Sequence, residues 1–160
     1  MDACSLILLA KASVLETILS AYTISITNNV FEEVMKGKAK MSTDALLLER
    51  LYNEKKMSVI SADNTLTKKI MTDFNMGKGE ASTIAVGLKE KDSIVATDNR
   101  QGRKAALVNG LPLIGSVEMI VSLYKRKKID KHKATASLKI LQEEGWFDSY
   151  LIEKAMEDLK

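Results

Sequence analysis

The chain has 160 residues, of which 46% are apolar and 28% charged, with 24 Lys and Arg against 21 Asp and Glu for a net charge of +3. That is the size and composition of one ordinary globular domain, and a bias this mild does not by itself mark a nucleic-acid binder. The single cysteine, Cys4, excludes an internal disulfide and a Cys-rich zinc site, and the short apolar runs, such as residues 6–10, exclude a bilayer span.

The apolar N-terminus lacks a basic leader and a small-residue cleavage site, so the expected location is the cytoplasm, without a membrane partner. Leu6, Ile7, Leu9, Ala10, Val14, Leu15, Ile18 and Leu19 recur at helical spacing and predict a helix. Residues 22–26, rich in β-branched side chains, predict a strand. Thr27, Asn28 and Asn29 then offer caps for a helix over 30–36 that Gly37 ends. A helix over 43–55, a strand over 57–61 and a helix over 64–74 follow. Gly77 and Gly79 interrupt the chain before a helix over 80–89. A strand over 93–97, a helix over 99–109 stopped by Gly110, and a short strand at Leu113 and Ile114 complete an alternating series. Residues 116–160 read as two or three helices with a break near Gly145.

Strands alternating with helices predict an α/β fold, with three layers (α/β/α) around a central parallel sheet. No repeat or linker divides the chain. One domain over 1–160 is therefore expected, with an α/β core over 1–115 and a helical C-terminal region over 116–160.

Ligands of such sheets bind beyond the carboxyl ends of the strands. Four acids fall there by topology. Asp98 lies just past the strand over 93–97, and Asp2 stands where a first strand should end. Glu33 lies in the first turns of the helix after residues 22–26, and Glu80 opens the helix after Gly79. Converging carboxylates repel one another when empty and suit a hard divalent cation. Each residue also has a plainer reading. Glu33 can be a solvated helix residue with Glu32 as its rival, Glu80 can favour a helix N-terminus, and Asp98 can be an N-cap. Arg100, Arg103 and Lys104 lie beside the acids, and Lys125-Arg126-Lys127-Lys128 form a second basic cluster that suits either RNA or a helix C-terminus. Cys4 reads as buried packing, His132 as a surface residue, and Trp146-Phe147 as a hydrophobic plug. Asp44, Asp63, Asp73, Asp92 and Asp148 read as caps or surface charges.

In order along the chain stand Asp2-Ala-Cys-Ser-Leu-Ile-Leu-Leu-Ala-Lys11, Val30-Phe-Glu-Glu-Val34, Gly77-Lys-Gly-Glu-Ala-Ser82, Ala96-Thr-Asp-Asn-Arg100, Arg103-Lys-Ala-Ala106 and Gly110-Leu-Pro-Leu-Ile-Gly115. This ordered set resembles the PIN-domain family, and most of all the branch with a GE[AS] motif and a helical C-terminal extension, related to the toxins of VapBC-type toxin–antitoxin pairs. The resemblance implies a ribonuclease dependent on Mg²⁺ or Mn²⁺ that leaves a 5′-phosphate and a 3′-hydroxyl. It implies Asp2, Glu33, Glu80 and Asp98 as metal-binding catalytic acids and Thr97 as a supporting hydroxyl. Asn99 stands where relatives often carry a further acid, and Arg100 and Arg103 are candidate phosphate contacts. RNA, an antitoxin protein and a second copy of the chain are the implied partners. Only Met1 precedes Asp2, where the family places a central strand of several residues. A PIN-fold module that binds RNA or protein without cleaving is the alternative. Other phosphate chemistries lack their motifs. Position 4 is Cys4 rather than the second acid of a dehalogenase-type Asp-x-Asp, no paired acids follow the first strand as a receiver domain requires, and Gly77-Lys-Gly79 lacks the third glycine of a dinucleotide fingerprint.

Overall fold

The computed structural model describes residues 1–36 and 43–160. The end of the third helix at Gly37, expected from the sequence, lies outside the described residues. In chain order the elements are α1 (Ala3–Lys11), α2 (Leu15–Ala21), β1 (Ser25–Thr27), α3 (Asn28–Lys36), α4 (Thr43–Asn53), β2 (Ser58–Ile60) and α5 (Asn64–Phe74). They continue with α6 (Lys78–Lys89), β3 (Val95–Ala96), α7 (Arg100–Val108), β4 (Leu113–Ile114), α8 (Ser116–Lys125), α9 (Lys131–Glu144) and α10 (Ser149–Glu157).

The helical periodicity over residues 6–19 resolves into two helices rather than one. Ser13 adopts a left-handed φ of 55°, and α1 and α2 meet at 115°. The apolar spacing survives the bend because both helices bury the same kinds of side chain: Leu6, Leu9, Leu15 and Ile18 are almost wholly inaccessible. Each such burial contributes roughly 1.5–3 kcal/mol, which makes α1 the centre of the larger core cluster. That cluster takes in Val30 of α3, Ile120 and Leu123 of α8, Leu138 and Leu141 of α9, and Ile152 of α10. A smaller cluster joins Ile70, Ile84, Val95 and Ala105.

The strands pair in parallel as expected, β1 with β2 in the register Ser25–Ser58 and β3 with β4 in the register Val95–Leu113. They form two separate two-stranded sheets rather than one continuous central sheet. The physical reason lies at Met1 and Asp2, which stand between the pairs. The Met1 ammonium donates to the Ser25 carbonyl at 3.0 Å, and the Asp2 amide donates to the Ala96 carbonyl at 3.0 Å. Each of these residues makes a single link to one edge, and the two links do not amount to a ladder between β1 and β3. A cavity of about 530 Å³ adjoins Met1, lined by Thr23 and Ile24 beside β1, by Ile94 and Val95 at β3, and by Val86 of α6 and Met119 of α8.

The helix boundaries follow local chemistry. Asp63, Asn99, Asp130 and Asp148 cap α5, α7, α9 and α10 through side-chain oxygens on backbone amides, each contributing about 1 kcal/mol. Thr27 caps α3, accepting from the Val30 amide at 3.1 Å. No single helix among the described residues is long and apolar enough to cross a membrane.

Candidate active site

Asp2 is the N-cap of α1. Its Oδ1 accepts from the Ser5 amide at 2.9 Å, so the helix start and the side chain's direction are fixed together. The residue is only 1% exposed, and its Oδ2 is buried without a hydrogen-bond partner. Burial drives its carboxyl above the usual range, the nearby Thr97 hydroxyl and Ser5 pull it back, and the Asp98 charge adds to the rise.

Asp98 emerges just after β3, as its sequence position predicts, but it is not a helix cap: that task falls to Asn99, whose Oδ1 accepts from the amides of Gln101 and Gly102. Asp98 is instead held by tertiary partners. Its Oδ1 accepts from the Ser116 amide at 2.9 Å. Its Oδ2 accepts from the hydroxyls of Ser116 at 2.5 Å and Ser5 at 2.8 Å. Ser5 thus links α1, which carries Asp2, to Asp98.

Glu80 opens α6, and its Oε2 accepts from the Gly77 amide at 3.2 Å. Burial raises its carboxyl, the Gly77 amide lowers it, and the charges of Asp2 and Glu33 raise it further. Glu33 comes from α3. Glu33, rather than its neighbour Glu32, turns toward α6, where a Cβ on Gly79 would land on the Glu33 carboxylate. Gly79 is therefore the residue that lets α6 approach α3. Beneath the two acids the Thr27 and Ser82 hydroxyls bond at 2.6 Å, and Ser82 also donates to the Gly79 carbonyl at 2.7 Å.

The charges of all four acids reach the thiol of Cys4. It is pushed up to about 12, first by desolvation and then by the charges of Asp2, Asp98, Glu80 and Glu33. Cys4 is exposed, which corrects its reading as buried packing: the first turn of α1 turns it outward, toward the acids. Trp146 is likewise fully exposed, so only Phe147 of that pair packs on the core.

Thr97 is buried and its hydroxyl accepts from the Asn99 amide at 3.2 Å. Arg103 serves the fold at this edge: Nη1 donates to the Thr97 carbonyl at 3.4 Å and Nη2 lies 3.7 Å from Glu118 Oε1. Arg100 is exposed. Gly115 fits among these groups because it has no Cβ, which would stand 2.7 Å from Glu118 Oε2 and 2.8 Å from Asp98 Oδ1. Sequence reasoning missed Ser5, Ser116 and Glu118. The only local signal was Gly115-Ser116-x-Glu118, in which Glu118 caps the Gly115 amide at 3.1 Å.

Carboxylate oxygens are the donor type that hard divalent cations take, and one of them here, Asp2 Oδ2, is buried and unpartnered. As they stand, no group of three or more His, Cys, Asp or Glu side chains among the described residues is arranged to hold one ion. A family model described as "DUF3368: PIN domain" matches residues 1–160. The chain belongs to the PIN-domain family. Neither the curated proteins nor the solved structures yield a match to it. PIN domains are generally nucleases that use divalent metal ions, and the mixed α/β structure with its small parallel sheets accords with a PIN-like fold.

Proposed function

We propose that this PIN domain is a Mg²⁺- or Mn²⁺-dependent endoribonuclease, with Asp2, Glu33, Glu80 and Asp98 as its metal-binding acids. The observation that carries the reading is the Asp2 Oδ2, buried and unpartnered on a residue whose charge couples to Asp98 and Glu80. Folding leaves that oxygen without compensation, and a cation is the partner that compensates both its desolvation and the mutual repulsion. When bound, the ion supplies an activated water and neutralises the phosphate under attack. The protein's own residues do the rest. Ser5 and Ser116 fix Asp98, Gly77 fixes one oxygen of Glu80, and Thr97 supports the floor beside Asp2. Arg100 is free to meet the RNA backbone, while Arg103, tied to Thr97 and Glu118, orders the edge of the site.

The same reading makes the chain a candidate toxin of a VapBC-type pair, acting in the cytoplasm, whose antitoxin covers the acidic pocket, and whose active form is a homodimer. Co-purification with the product of the adjacent gene tests the pair, and finding no complex counts against it.

The alternative, a PIN-fold module that binds RNA or protein without cleaving it, is favoured by two observations: Asp98 and Glu80 already spend oxygens on protein donors, and no three acids among the described residues stand in ligand geometry. Mn²⁺ binding followed by electron paramagnetic resonance separates the two. The nuclease reading expects saturable binding by the wild type that weakens at least ten-fold in Asp2→Asn. Equal binding by both proteins, or none by either, removes Asp2 from the metal site and leaves the binding module.

A further inference from the structure

The acidic pocket accounts for one end of α8, and the other end carries an unassigned cluster of charge. Within residues 125–133 stand Lys125, Arg126, Lys127, Lys128, Lys131, His132 and Lys133, with Asp130 as the one acid. The loop between α8 and α9 surrounds a hollow of about 660 Å³ lined by Tyr124, Lys127, Lys128, Ile129 and Lys131 among others.

The charges of this loop divide into two sets. Lys125 reaches Asp158 at 3.4 Å, and the Arg126 guanidinium lies 5.0 Å above the centre of the Tyr22 ring; both hold the loop against the fold. Asp130 spends its Oδ1 on the Lys133 amide at 2.7 Å, capping α9. Lys127, Lys128 and Lys131 are exposed around the hollow, which Asp130 also lines, and no ion pair joins them to an acid among the described residues. Lys127 also holds a left-handed φ of 56°, in a helix-ending turn where its amide bonds Tyr124 O at 2.8 Å and the Lys128 amide bonds Leu123 O at 2.9 Å. Glycine relieves strain at that position, yet the position carries a cation.

We propose that the α8–α9 loop is a second RNA-contact surface, in which Lys127, Lys128 and Lys131 hold backbone phosphates several nucleotides from the bond cut at the acidic pocket. The proposal rests on the ribonuclease reading above. α8 has ten residues and therefore sets the loop about 15 Å from Ser116 and Asp98. A single-stranded polyanion is the occupant that matches three unpaired, rotatable ammonium groups around an open hollow with an aromatic side chain in its wall. The acids of the catalytic pocket repel the rest of such a strand, so an RNA substrate needs its binding affinity from elsewhere on the surface.

The test is the salt dependence of binding of a labelled oligouridylate, measured by fluorescence anisotropy in EDTA so that nothing is cut. The wild type is compared with the triple variant Lys127→Gln, Lys128→Gln, Lys131→Gln and with the triple Lys→Arg variant at the same positions. Loss of three phosphate contacts makes the slope of log K against log salt shallower by about 2, and the arginine variant keeps the wild-type slope. Lys127→Gly is expected to weaken binding while melting no lower than the wild type, a combination that a purely structural lysine does not give. An unchanged slope in the glutamine variant overturns the proposal, and so does displacement of the RNA by polyglutamate, which marks a general site for acidic partners. Failure of the wild type both to bind and to cleave RNA instead removes the ribonuclease reading itself.

Discussion

Ser116 holds Asp98 at two points, its amide on Oδ1 at 2.9 Å and its hydroxyl on Oδ2 at 2.5 Å. The first residue of α8 thereby fixes the carboxylate that follows β3, and Ser5 completes the grip from α1. Hydrogen bonds to a charged group contribute roughly 1.5–3 kcal/mol. Ser116→Ala is expected to cost about 2 kcal/mol in urea unfolding, by that rule, and to lower cleavage by more than the matching change at an exposed serine such as Ser149. Full activity in Ser116→Ala would show that Asp98 needs no such anchoring.

Gly79 separates stability from function. It is the second residue of α6, where alanine is the better helix former by up to about 1 kcal/mol. The added methyl meets the Glu33 carboxylate. Gly79→Ala is expected to melt at or slightly above the wild-type temperature while binding Mn²⁺ more weakly, because Glu33 must leave its place. Unaltered metal affinity in a stable Gly79→Ala protein would exclude Glu33 from the ion's ligands.

The raised carboxyls of Asp2 and Glu80 set a pH dependence. The folded chain holds their protons more tightly than the unfolded chain does. Their protonated forms therefore add stability below the ordinary carboxyl range, and that contribution is lost as pH rises through the raised folded values. Metal-free protein should lose stability over that window, Asp2→Asn should lose less of it, and Mg²⁺ should restore it at neutral pH. Urea midpoints from pH 4 to pH 8, with and without the ion, measure all three; a wild type and an Asp2→Asn variant with parallel curves would contradict the account.

Most of the helices and the general position of the acids were readable because they depend on neighbouring residues. Asn99, Asp130 and Asp148 announce their helices as caps, Asp98 falls at a strand-to-helix junction, and Glu80 stands in the first turn of α6 after the glycine break that follows α5. What could not be read depends on contacts between distant segments. Nothing near Ser13 announces a left-handed turn, since serine has no special preference for it. The division into two sheets follows from how Met1 and Asp2 reach Ser25 and Ala96, and the roles of Ser5 and Ser116 appear only once α1, β3 and α8 meet. Cys4 misled because an apolar helix face suggests burial, while this residue lies on the face that the acids share.

That thiol offers a chemical probe of the pocket. With its pKa pushed from 9.0 to about 12, Cys4 holds on the order of a thousand-fold less thiolate near neutral pH than an unperturbed thiol, and alkylation follows the thiolate. Iodoacetamide should label the folded protein correspondingly slowly, and Glu80→Gln should speed the reaction. Labelling at the rate of a free thiol would show that neither desolvation nor the acids act on Cys4, and a rate unchanged in Glu80→Gln would show that Glu80 does not.

The most direct measurement is cleavage of single-stranded RNA by the purified chain in Mg²⁺ or Mn²⁺, beside EDTA and beside Glu80→Gln and Asp98→Asn. The account predicts cleavage that requires the ion and disappears in both variants, with products bearing 5′-phosphates. Cleavage that persists in EDTA or in either variant, or folded wild-type protein that binds Mn²⁺ and leaves every RNA intact, would contradict it.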